Sequence, residues 1–190
     1  MGKNRRYVEE RLNANCAGQS RDSIMTDQWY ALRVKSRHEF VASEELTRKD
    51  IDNFLPSVSR VRQWKDRKKV VNFPLFPGYL FVRLDPHPGA FMDVLKTRGC
   101  VSFVSLEPGQ PAAVSLEEIT SLRAMLKSGE QLDVFPAFKE GKVVRVKHGP
   151  LSGIVGVLSK REDRQMFLVN IDILGRSVGL KISAEDVELA

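Results

Sequence analysis

Pro74-Leu75-Phe76-Pro77-Gly78-Tyr79-Leu80-Phe81-Val82 reads as a strand entered through a proline-glycine corner. Aromatic and β-branched residues suit a pleated surface, while Pro74 and Pro77 hold the entry to a sheet edge or a bulge. From Gly78 onward, regular alternation puts Tyr79 and Phe81 on one face and Leu80 and Val82 on the other. One of those faces must be core. From its residues alone the aromatic face has two readings, as part of that core or as a patch near the rim on which a partner docks.

Towards the N-terminus, residues 29–34 alternate as a second strand, and Ser36 with Glu39 three residues on predicts a capping box for a helix that ends near Lys49. The residues before position 27 mix charged and small polar types without a sustained period, and predict a flexible extension over 1–26. Towards the C-terminus, residues 85–89 form a turn by composition, 91–96 a short helix and 99–106 a strand. Ser115 then opens an amphipathic helix through Leu116, Ile119, Leu122 and Leu126 that stops at Gly129. No clear period follows over 130–140, which predicts a linker. Beyond it, apolar stretches at 143–146, 154–158, 167–173 and 177–182 lie between turn residues, and short strands so spaced predict a small all-β barrel over 141–190.

The 190 residues carry 42% apolar and 28% charged types, a globular composition without an apolar run long enough to span a bilayer. No apolar region follows the basic first residues, so no membrane association and a cytoplasmic location are expected. Cys16 and Cys100 lack the spacing of a zinc site and read as free thiols. His38, His87 and His148 sit at a helix start and in two proline-flanked turns, away from any recurring Cys, Asp or Glu partner. Neither a phosphate-cradling glycine loop nor a dinucleotide fingerprint is present. The expectation is a protein without catalytic residues, cofactor or metal.

A net charge of +6 suits a polyanionic partner. Residues 60–69 place six basic side chains and Trp64 beside one acid. Arg62 and Lys65 can meet phosphates while Trp64 stacks on a base, and Lys35 and Arg37 after the first strand can extend the same face. The alternative reading of the run is a solvated hairpin.

Taken in order, Trp29-Tyr30, the Phe76-Pro77-Gly78-Tyr79 corner, Thr97-Arg98-Gly99 and the tail with Gly149-Pro150 and Ile173-Leu174-Gly175-Arg176 resemble the NusG/RfaH family of transcription elongation factors. The resemblance implies an α+β chain. An N-terminal domain over 27–129, an antiparallel sheet flanked by helices, would be joined by the linker 130–140 to a KOW-type barrel over 141–190. It implies that Phe76, Tyr79 and Phe81, with Trp29 and Tyr30, dock on the clamp helices of RNA polymerase. Lys35, Arg37, Arg62, Trp64 and Lys65 would approach the non-template DNA strand. Ile173, Leu174 and Arg176 would meet a small-subunit ribosomal protein or the termination factor Rho. The protein would act as a monomer that suppresses pausing and termination.

Around the corner, Ser36-Arg37-His38-Glu39 and the Asp85-Pro86 turn look closer to operon-specific antiterminators than to the general factor. The His-Thr-Thr loop of such paralogues has no counterpart at 90–92. Glycines at 149, 153, 156, 175 and 179 with abundant Val and Ile oppose helix and predict a tail that stays β. An RNA- or ribosome-binding module accounts for the tail and the charge but leaves the aromatic corner without a role.

Overall fold

The strand β1 (Gln28–Val34) lies at the middle of the N-terminal sheet, and its alternation serves two cores. This computed structural model describes residues 27–63, 67–137, 140–161 and 164–190. After β1 come α1 (Glu39–Arg48), β2 (Asn53–Phe54) and the hairpin of β3 (Ser57–Gln63) with β4 (Lys68–Pro74). Then follow β5 (Tyr79–Leu84), α2 (Pro88–Leu95), β6 (Cys100–Phe103), β7 (Ser105–Glu107), β8 (Gln110–Pro111), β9 (Ala113–Val114) and α3 (Leu116–Lys127). The main sheet runs β2-β5-β1-β6, with β9 pairing the first half of β1 where β6 pairs the second. All these pairings are antiparallel.

Tyr30, Leu32 and Val34 of β1 join Leu80, Val82 and Leu84 of β5 under Ala42 and Leu46 of α1 and Val94 of α2. Trp29 and Ala31 face the other way, with Phe76 and Phe81, towards Ile119, Leu122 and Met125 of α3. Each such side chain taken fully out of water contributes roughly 1.5–3 kcal/mol before its entropic cost. The sheet is therefore covered on both faces, which corrects the reading of the aromatics as an exposed patch. Phe76 and Phe81 are wholly buried and Trp29 and Tyr30 are 4% and 3% exposed, because helices flank both sides of the strands that carry them. Of the five, Tyr79 alone is partly exposed. The alternation itself holds, since Phe81 belongs to one core and Leu80 and Val82 to the other.

Local structure departs from expectation at the start of α1. His38 occupies the N-cap without a side-chain bond to the helix amides, and Glu39 turns inward instead of closing a box with Ser36. The box forms at α3, where Ser115 Oγ accepts from the Glu118 amide and Glu118 Oε2 accepts from the Ser115 amide.

The C-terminal part is a six-stranded antiparallel sheet of β10 (Asp133–Pro136), β11 (Lys142–Val146), β12 (Val155–Arg161), β13 (Arg164–Ile171), β14 (Arg176–Lys181) and β15 (Val187–Leu189). Its hydrogen-bonded order is β10-β14-β13-β12-β11-β15. The segment expected as linker therefore contains a strand. Asp133–Pro136 pairs with Arg176–Gly179, and Leu132 before it is 3% exposed. Phe167, Val169, Ile171, Val178 and Leu180 fill this sheet's core and continue without a break into the core beneath α3. No helix among the described residues is long and apolar enough to cross a membrane.

Candidate functional site

The C-terminal end of β1 carries two chain turns on its flanks. Val34 N–H donates to the Gly78 carbonyl at 2.9 Å and Lys35 N–H to the Gly99 carbonyl at 2.8 Å, so the corner before β5 and the turn before β6 lie on either side of Lys35. Arg37, in a left-handed conformation with φ 62°, then turns the chain into α1. Gly78 adopts φ 84°, which favours glycine, and its N–H donates to Glu39 Oε1 at 2.8 Å. Glu39 is 5% exposed and sits at the first position of α1, where the helix dipole favours its charge. A buried carboxylate thus fixes the proline-glycine corner.

Around that corner the surface is basic. Arg33 lies opposite Tyr79 across the β1–β5 pair, on the sheet face that α3 covers, yet Arg33 is exposed and Tyr79 half-exposed. α3 shields Trp29 and Ala31 and leaves this end open. Lys35, Arg37 and Arg98 are exposed beside it. No ion pair among the described residues engages Arg33, Lys35, Arg37 or Arg98. The result is an aromatic ring and an exposed proline, Pro77, set among four cations free to meet anionic groups.

The hairpin of β3 and β4 offers a second basic surface. Directly opposed pairs put Val58 and Phe73, Arg60 and Val71, and Arg62 and Lys69 on one face. The Arg62 guanidinium lies 5.2 Å from the centre of the Phe73 ring, a cation–π contact that orders the side chain. Trp64 and Lys65 lie outside the described residues. Arg62 is thus the described hairpin residue among the expected nucleic-acid contacts, at some remove in the chain from Lys35 and Arg37.

Between β13 and β14, Ile173 and Leu174 occupy a single 3-10 turn, Asp172–Leu174, closed by Gly175 with φ 59°. Both are half-buried and pack against the shared core. Arg176 opens β14 opposite Pro136. The structure thus brings Lys35 and Arg37 together with Tyr79 at the end of β1, while Ile173, Leu174 and Arg176 lie in the connection from β13 to β14.

Arg33 and Arg98 escaped the sequence reading. Arg33 sits in an alternating strand, where it passes for a solvent-facing position, and Arg98 joins Lys35 only through the Lys35–Gly99 hydrogen bond. A cation placed next to each glycine turn was the available signal.

Among the described residues, no group of three or more His, Cys, Asp or Glu side chains is placed to hold a metal ion. Cys100 is half-buried, and burial pushes its thiol up to about 11, against a smaller opposing influence of Lys49.

Residues 27–123, just over half of the chain, match the family model described as the transcription termination factor NusG. The chain is 25% identical to the transcription termination/antitermination protein NusG of Borreliella burgdorferi over 86% of its own length and 99% of that protein's. It is 29% identical to the protein of the same name from Chlamydia trachomatis, over 78% of this chain and 87% of that one. The solved structure titled "Domain interaction in Thermotoga maritima NusG" covers 86% of this chain at 24% identity with a TM-score of 0.50, a likeness of fold. Proteins of this family are transcription factors and not enzymes, in keeping with a sequence that offers no nucleophile–base pair. The chain belongs to the NusG family of transcription termination and antitermination factors.

Proposed function

We propose that this protein binds RNA polymerase during elongation and opposes pausing and termination, with the open end of the N-terminal sheet as its docking surface. The observation that carries the reading is Tyr79 held half-exposed beside Arg33, Lys35, Arg37 and Arg98, none of which has an ion-pair partner among the described residues. A partly exposed ring supplies an anchor of the kind that dominates protein interfaces, and unpaired cations supply steering towards an acidic partner or a phosphate backbone. Tyr79 and Pro77 dock on the clamp helices, while Lys35, Arg37 and the hairpin's Arg62 meet the non-template strand. The mechanism is a population shift. Binding energy spent on one polymerase conformation raises its share, and no bond is made or broken.

Action on a restricted set of operons is supported by the likeness of Ser36-Arg37-His38-Glu39 and the Asp85-Pro86 turn to operon-specific antiterminators. The turn Ile173-Leu174-Gly175-Arg176 is the contact for a ribosomal protein or Rho.

The test is binding of the full chain to core bacterial RNA polymerase, beside a Tyr79→Ala/Arg33→Ala variant whose circular dichroism matches the parent. Truncating a central anchor costs about 2 kcal/mol, so the variant is expected to bind some thirtyfold more weakly. Equal binding by the two proteins removes this surface from the interface. A parent chain that ignores the polymerase removes the reading altogether.

A further inference from the structure

The corner Phe76-Pro77-Gly78-Tyr79 is a tight turn. Tyr79 N–H donates to the Phe76 carbonyl at 3.0 Å, and Gly78, at the third position, has φ 84°. Proline at the second position holds its own φ negative, so the positive φ at the glycine makes this a type II turn. A proline-glycine pair also fits type I, and the two forms differ by a half-rotation of the Pro77–Gly78 peptide. Three hydrogen bonds hold the corner: Tyr79 N–H to Phe76, Val34 N–H to the Gly78 carbonyl at 2.9 Å, and Gly78 N–H to Glu39 Oε1 at 2.8 Å. Of the three, the last alone engages the peptide that rotates.

We propose that Glu39 is the positioning residue of the docking surface: its buried carboxylate locks the Pro77–Gly78 peptide in the type II orientation and so fixes how Pro77 and Tyr79 meet the polymerase. The inference rests on the reading of that corner as the docking surface. Glu39 is 5% exposed at the first position of α1, so it acts through the corner and not by touching a partner. Packing around the glycine does not make the choice, since a Cβ added at Gly78 would meet nothing nearer than the Val34 carbonyl at 3.9 Å. The hydrogen bond carries it instead.

The lock has a consequence for the partner. In a trans peptide the N–H and the C=O point in opposite directions. With the Gly78 N–H turned in to Glu39, the Pro77 carbonyl is turned out, at an exposed residue next to the half-exposed Tyr79. The corner therefore offers a hydrogen-bond acceptor beside the ring, suited to an N–H donor on the polymerase such as an arginine or lysine side chain. Rotation of the peptide would aim that carbonyl at the buried carboxylate and leave two acceptors facing each other, which the fold penalises. Without Glu39 the penalty disappears. A corner that spends about nine-tenths of its time rotated binds about tenfold more weakly, because only the competent fraction takes the partner.

The test compares the full-length parent, Glu39→Ala and Glu39→Gln in binding to core bacterial RNA polymerase and to a mixed-sequence single-stranded DNA. Glutamine keeps an acceptor oxygen for Gly78. Glu39→Ala is expected to bind the polymerase about tenfold more weakly, and Glu39→Gln within about twofold of the parent. Neither variant is expected to bind the DNA more weakly, because Lys35, Arg37 and Arg98 are untouched. In a Tyr79→Ala background the loss from Glu39→Ala is expected to shrink, as it does for residues that act through one another. An undiminished loss there, a loss on polymerase and DNA alike, or parent-level polymerase binding by Glu39→Ala overturns the positioning role. A parent that ignores the polymerase overturns the docking reading instead, and the lock is then read with no partner, by amide hydrogen exchange in NMR spectra. The Gly78 amide is expected to exchange at least about tenfold faster in Glu39→Ala than in the parent or Glu39→Gln, while the Tyr79 amide keeps its protection. Equal exchange of Gly78 in all three proteins overturns the lock. Should Glu39→Ala fail to fold, Glu39→Asp keeps a charge at the start of α1 and withdraws the oxygen by one methylene. Fast exchange of Gly78 is expected of it too, and exchange at the parent's rate overturns the lock.

Discussion

Glu39 and Cys100 show how burial sets the behaviour of single groups near the site. Glu39 is a buried acid whose oxygen receives the Gly78 amide, and the first turn of α1 offsets part of its desolvation. A sequence reading sees only a glutamate three residues after a serine, the pattern of a capping box. The competing use, across 39 residues to Gly78, depends on a tertiary contact that no local spacing encodes. Cys100 follows the β6 glycine turn, and desolvation raises its thiol from 9.0 to about 11. A raised thiol pKa means that the folded chain holds the proton more tightly. The stability so gained is present below pH 9 and is lost as the pH climbs towards 11. The thiolate, the reactive form, is accordingly scarce at neutral pH. In a Cys16→Ser background, Cys100 is expected to react with iodoacetamide at pH 8 at least tenfold more slowly than free cysteine, as followed by intact mass. A rate equal to that of free cysteine shows that the half-buried environment does not govern its reactivity.

Among the elements, those with a local signature were legible in the sequence. The capping box at Ser115 and the 3.6-residue spacing of Ile119 and Leu122 placed α3 correctly, and strict alternation placed β1 and β5. Leu116, read as part of the same apolar stripe, is 63% exposed, because Met125 and not Leu116 completes the buried face. β10 was missed. Asp133-Val134-Phe135-Pro136 has four residues and ends in proline, too short to show a period, and only its pairing with β14 makes it a strand. Its contribution is measurable. The Phe135 ring lies 3.0 Å from where a Cβ on Gly179 would stand, so glycine there makes room for the ring, and the ring in turn fills the gap left by the missing side chain. Phe135 is only partly buried, and Phe135→Ala is expected to cost about 2 kcal/mol, below the usual range for a fully buried ring. Urea unfolding followed by circular dichroism checks this, and a midpoint unchanged from the parent shows that β10 adds nothing to the C-terminal sheet. The candidate site was half legible for a related reason. Lys35, Arg37 and Tyr79 stand next to turn residues that announce themselves, whereas the burial of Trp29, Tyr30, Phe76 and Phe81 depends on which helices fold back over the sheet.

Over the whole molecule, charge is sorted by region. Exposed cations gather at the open end of the N-terminal sheet, with Arg33, Lys35, Arg37 and Arg98, and on the hairpin, with Arg60, Arg62, Lys68 and Lys69. The groove between α3 and the C-terminal sheet is lined by Glu117, Glu118 and Asp172 with no cation among its lining residues. A net charge of +6 thus understates the local field on the basic side, which favours a polyanion there and repels it from the acidic groove. Two basic regions compete for the role of phosphate contact, and salt dependence separates them. Each phosphate neutralised on a single strand contributes about 0.7 to the slope of log K against log salt. Replacing Lys35, Arg37 and Arg98 together with glutamine is therefore expected to lower the magnitude of that slope by about 2 for a mixed-sequence single-stranded oligonucleotide. The same treatment of Arg60 and Arg62 is expected to lower it by less, because Arg62 is already committed to the Phe73 ring. A slope untouched by the first triple and reduced by the hairpin pair moves the strand from the sheet end to the hairpin. In that case Tyr79 and its neighbouring cations are left for a protein partner alone, since an unpaired cluster that does not meet phosphate still has its charge to satisfy against carboxylates.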